Sequence, residues 1–185
     1  MALKSDRNEV QTDISFFMNE VATRGGVVSL STGGSGAAMD QGSALVTYAA
    51  SGARVVPMGI LLNDMVNLDL TRQHINQHKD EVQKGGKVTI LRKGYVVTNA
   101  IEGSTTSLAG KPAFLAHSGN ISQSAIAEGD SFKDMVPIVG RFLSGVDEDG
   151  YAKVEVDLPS AQAYVPYGSG TVSYTHLTLP TIYSV

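Results

Sequence analysis

A chain of 185 residues can form one domain with a sizeable core, or a core with an extended arm, and is too short for two full domains. With 42% apolar and 17% charged residues it is a folding composition, and without cysteine it has no disulfide framework, no thiolate nucleophile and no cysteine-bound metal. The net charge of −4 is unevenly spread: six basic residues oppose two acidic ones from Arg72 to Lys93, and nine acidic oppose four basic from Glu102 to Asp157, too sparse a pattern for a nucleic-acid platform.

The opening MALKSDRNEV lacks the basic-then-apolar pattern of a signal peptide. No run approaches the roughly 20 apolar residues of a membrane helix, so the chain is expected to stay in the cytoplasm unless it leaves inside a larger particle. Ile14, Phe17, Met18 and Val21 then recur at i, i+3, i+4 and i+7, with Thr12 or Asp13 as a cap and Gly25-Gly26 as a stop. This spacing predicts one short amphipathic helix, within an N-terminal arm over residues 1–26. The arm's apolar stripe packs either on its own domain or on a neighbour.

A glycine- and serine-rich stretch follows, interrupted by β-branched runs. Gly33–Gly36 invites a phosphate-loop reading, but the Lys-Ser/Thr pair of a Walker loop is missing, as is the third glycine of a dinucleotide fingerprint. Ser35 is no nucleophile elbow, because Ala37 stands where the second flanking glycine belongs. The segment reads as a loop. Residues 63–86 are the most polar stretch, an extended segment or a helix, and hold His74 and His78 four apart. On a helix the two imidazoles would share a face, yet Ile75 replaces the glutamate of a metalloprotease motif and no third ligand is evident. A surface or interface pair is the better reading.

From Lys87 the β signal strengthens. KVTILRKGYVVTNAI reads as two runs broken at Lys93-Gly94, KPAFLAHSGNIS as a short run entering a turn, and PIVGRFLSGVDEDGYAKVEVDLP as a hairpin. In the last arm Ala152, Val154, Val156 and Leu158 alternate with Tyr151, Lys153, Glu155 and Asp157, one face core and one wet. Asp147–Gly150 is too short for an EF-hand, and Asp-Gly favours a hairpin turn. His117-Ser118 is the adjacent His/Ser pair, but neighbours in sequence seldom present both side chains to one substrate. No catalytic residue, cofactor or metal site is expected.

The three segments from Gly85 to Pro159, together with Ala44–Gln83, resemble the β-rich capsid decoration, or cement, proteins of tailed bacteriophages, especially those of cyanobacterial and other aquatic hosts. The resemblance implies a mainly β fold, a small antiparallel barrel or sandwich over residues 27–171. It also implies a virion protein that binds the outer capsid surface and stabilises contacts between major capsid subunits. Its partners would then be the major capsid protein and copies of itself, with trimers one arrangement, and it would contact neither nucleic acid nor membrane. Candidate contacts are Ile14, Phe17, Met18, Val21, Arg72, His74 and His78, and removing residues 1–24 is expected to abolish particle binding while the β domain stays folded. The alternatives are a low-copy tail, neck or head-fibre component and, last, a small phage-encoded hydrolase. Residues 172–185 stand apart: VSYTHLTLPT is compatible in frame with a common sequencing adapter followed by an index and a stop, so this tail is expected to be non-native.

Overall fold

The computed structural model describes residues 3–31, 44–53, 55–64, 81–124 and 136–158. Eleven strands lie among them: β1 (Leu3–Met18), β2 (Ala22–Thr23), β3 (Val27–Leu30), β4 (Leu45–Thr47), β5 (Pro57–Asp64), β6 (Glu81–Val82), β7 (Lys87–Thr98), β8 (Pro112–Leu115), β9 (Ile121–Ser122), β10 (Ile138–Phe142) and β11 (Ala152–Asp157). A 3-10 turn spans His117–Gly119. The chain is mainly β, as expected.

The predicted N-terminal helix is a strand instead. β1 runs antiparallel along β7, from Leu3 opposite Thr98 to Phe17 opposite Lys87. A short amphipathic helix is marginal alone, and Val10, Thr12, Ile14 and Phe16 suit a pleated ribbon. Meanwhile β7, in mid-sheet, needs a partner for each of its backbone groups. The long ladder decides against local periodicity. Four register irregularities along the pairing break any regular alternation in β1.

β7 is the axis of the fold, and it is one 12-residue strand rather than two runs broken at Lys93-Gly94. Its first half pairs with β5, Leu91 opposite Ile60; its second pairs with β11, Lys93 opposite Asp157 through Thr98 opposite Ala152. The partner changes where the break was expected. Gly94 adopts φ +142°, and a Cβ there would run into the carbonyl oxygen of Asn8, so this close approach of β1 to β7 requires glycine.

The main sheet continues outward from β11 to β10, β8 and β9. On the other side β5 pairs with β3, β3 with β4, and β4 with β1 in parallel at Phe17 and Met18. Since β1 also pairs with β7, the pairings return to the strand from which they started. β2 and β6 form a separate two-stranded ribbon, Ala22 opposite Val82.

Two apolar cores result. One gathers Val27, Ile60, Leu62, Leu91, Val96, Phe142 and the inward residues of β11, among others. The second holds Met18, Ala22, Val28, Val46, Leu61, Val82, Val88 and Ile90. β5 therefore reads Ile-Leu-Leu without alternation because both its faces are buried. The hairpin reading of β10 and β11 holds, with Arg141 opposite Glu155, and Ala152, Val154 and Val156 are buried.

Half-buried Tyr48 packs against the second core and ties its edge together. Its hydroxyl donates to the Thr23 carbonyl and accepts from the Gly26 amide, and its ring lies so close to Gly26 that a Cβ there would touch it. Burial pushes the phenol well above its ordinary value, so it stays a neutral donor. The carboxylate of Glu20 accepts from the Thr47 hydroxyl at 2.6 Å and from the Tyr48 amide, fixing the chain after β1 to the end of β4.

Candidate functional site

The broad outer face of the sheet is ionic and largely satisfied within the chain. Lys93 pairs with Asp157 at 3.5 Å, Arg141 with Glu155 at 4.0 Å, and Lys153 with Asp6 at 3.4 Å, while Lys153 also lies 3.8 Å from the centroid of the Tyr95 ring. Asp13 stands 4.0 Å from Arg92. The Lys93–Asp157 pair thus joins the basic stretch to the acidic one across β7 and β11, and Arg141–Glu155 links β10 to β11.

The acidic turn has a structural role. Oδ1 of Asp147 accepts from the amides of Asp149 and Tyr151, Gly150 takes φ +86°, and Oδ2 accepts from the Lys4 ammonium at 2.7 Å. Lys4 also reaches Asp149 at 3.5 Å and lies 4.3 Å from the Tyr151 ring centroid. Hydrogen bonding to Lys4 lowers the Asp147 pKa, and the same bond raises that of Lys4. The turn is thereby clipped to the start of β1.

His117 and Ser118 serve a second turn. Nδ1 of His117 lies 2.8 Å from Oε1 of Glu102, and its backbone amide donates to Oε2 of the same carboxylate at 3.1 Å. Ser118 sits in the left-handed region at φ 52°, and its amide donates to the Ala49 carbonyl. The imidazole is oriented by Glu102, which joins the β8–β9 connection to the strand-end segment after β7. Among the described residues no group of three or more His, Asp or Glu side chains is placed to hold a metal ion.

The sequence-selected contact residues are scattered by the strand geometry. Ile14 and Val21 are exposed, Phe17 is half-buried, and Met18 has no exposed surface and belongs to the second core. Arg72, His74 and His78 lie outside the described residues, as do Gly33–Gly36 and the tail 172–185. Exposed apolar side chains that helical periodicity did not single out are Val10, Leu30, Val56, Ile138 and Leu143. A signal for two of them was present: Leu30 precedes the Ser/Gly stretch and Val56 precedes Pro57, so both mark strand ends, where a β-branched or leucine side chain outruns the core.

No curated protein matches the chain. A family model described as structural cement protein (E217 gp24/Pam3 gp6) matches residues 8–157, from within β1 to the last residue of β11. The match takes in nearly the whole described sheet, and the described residues contain no helix long and apolar enough to cross a membrane. A chain of paired strands with an internally neutralised face, matching that model over this span, belongs to the phage structural cement protein family, whose members stabilise the capsid of the virion.

Proposed function

We propose that the protein binds the outer surface of a phage head, bridges neighbouring major capsid subunits in many copies, and does so without catalysis, cofactor, nucleic-acid or membrane contact. The observation that carries this reading is the family match over residues 8–157. The physics is coherent with it. A β scaffold built on one shared strand is rigid, and each contact is repeated over the shell, so modest affinities add through multivalency. The return of the pairings from β1 to β7 supports a small closed barrel at the centre of this scaffold. Ile14 and Val21 are the exposed members of the contact set on the N-terminal segment, and Arg72, His74 and His78 remain in it from their place in the polar stretch 63–86. Self-association, with a trimer as one arrangement, and assembly in the host cytoplasm complete the reading. The tail 172–185 is read as non-native.

Intact-mass and copy-number measurement on protein released from purified virions tests this. Many copies per particle, with a mass departing from the 19.5 kDa of this sequence, is the expected result. A few copies would favour a tail, neck or head-fibre part, and absence from the particle would overturn the reading. A mass matching the chain through Val185 would make the tail genuine.

A further inference from the structure

The exposed apolar side chains are not evenly distributed, and their grouping points to a footprint. The amide of Asn19 donates to the Val46 carbonyl, Val46 is opposite Leu30, and the amide of Leu30 donates to the Val56 carbonyl. Residues 19, 46, 30 and 56 therefore follow one another across the ends of four neighbouring strand segments. The side-chain amide of Asn19 also donates to the Ser31 hydroxyl at 3.2 Å, drawing the chain after β1 onto the end of β3. At this end Leu30 is 42% exposed, Val56 37%, and Val21, two residues beyond Asn19, 55%.

The other exposed apolar residues do not group in this way. Ile138 opens β10 and Leu143 follows its last residue, with charged Arg141 between them, and Val10 and Ile14 are set among polar neighbours on β1. Single apolar residues are ordinary on a protein surface, whereas a contiguous group signals a partner. The broad face beside β11 offers the reverse chemistry: its charges are matched within the chain and would have to be desolvated to bind anything.

We infer that the strand-end surface of Val21, Leu30 and Val56 is the footprint on the major capsid protein, and that the paired-ion face of β7, β10 and β11 is turned to solution. The inference rests on the proposed capsid-binding function and specifies the surface that performs it. The partner is a capsid subunit because the chain belongs to a capsid-stabilising family, and Leu30 and Val56 are the exposed apolar residues joined across neighbouring strands among the described residues. The complementary capsid patch is apolar, so binding depends weakly on salt.

The test is a binding titration of the full chain on capsids lacking cement protein, read as occupancy per particle, with circular dichroism confirming the fold of each variant. The double variant Leu30→Asp/Val56→Asp, and Val21→Asp by itself, are expected to weaken binding about tenfold or more, and Ile138→Asp/Leu143→Asp to leave it within about twofold. If the aspartate pair fails to fold, Leu30→Ser/Val56→Ser takes its place with the same expectation. Wild-type occupancy by the Leu30/Val56 variants, or an equal loss from the β10 variants, overturns the footprint while leaving capsid binding intact. Failure of the wild-type chain to bind capsids removes the proposed function and the footprint with it.

Discussion

At the scale of single residues, the contact that ties the acidic turn to β1 is a charged one made by residues far apart in sequence. Lys4 and Asp147 are separated by 143 positions and meet at 2.7 Å. Asp147 titrates below its ordinary value of 3.8, so it favours the folded state above that pH, and the contribution is lost as pH falls through the lowered value. Lys4 titrates above 10.5, so its share is present below that pH and disappears as pH rises through the raised value. Asp147→Asn isolates the ion pair, because the amide oxygen can still accept from the turn amides of Asp149 and Tyr151. The variant is expected to melt below the wild type at pH 7, by a margin that shrinks with added salt and as the pH falls through the lowered value of Asp147. A margin that persists unchanged to pH 2 would mean that the turn geometry, rather than the charge, accounts for the difference.

At the scale of elements, β1 is where local pattern and tertiary structure part. The periodicity of Ile14, Phe17, Met18 and Val21 is genuine, but a strand of 16 residues lying along β7 supplies partners to that edge of β7, which a short helix would leave open, and its bulges bury Met18 while leaving Ile14 outside. This placement changes the expectation for removing residues 1–24. Such a truncation takes Leu3 from the first core and Met18 and Ala22 from the second, and strips one edge of β7. Deleting a single buried methionine or leucine side chain costs about 2–5 kcal/mol, a large share of the 5–15 kcal/mol that holds a typical domain. The truncated chain is expected to lose cooperative thermal unfolding and near-ultraviolet circular dichroism. A sharp melting transition within about 5 °C of the full chain would show that β1 is a dispensable arm after all. The hairpin of β10 and β11, by contrast, was legible in the sequence, since strict alternation over six residues and an Asp-Gly turn are both local.

At the scale of the whole molecule, the two apolar cores share their walls. β5 sends Ile60 and Leu62 to one core and Leu61 to the other, and β7 sends Leu91 and Val96 to the first and Val88 and Ile90 to the second. Neither core can open without exposing a strand of the other, so unfolding should be a single transition. Far-ultraviolet circular dichroism and tyrosine fluorescence, available from seven tyrosines with no tryptophan to mask them, are expected to give the same midpoint. Two separated midpoints would mean that the cores are independent units. Rigidity of this shared kind suits a protein that stabilises a capsid.

Local alternation by itself determined that the chain is rich in strands from Lys87 onward, that its acidic Asp-Gly stretch is a turn, and that one face of β11 is wet, because each of these depends on neighbours within a few residues. Only the tertiary structure decided that residues 3–18 are a strand, that β7 runs unbroken through Gly94 by exchanging β5 for β11, and that Leu30 and Val56 meet at one end. Those outcomes depend on which distant strand supplies the hydrogen-bonding partner, and backbone pairing across 70 or more positions, as between β1 and β7, outweighs a local periodicity that buries only one stripe.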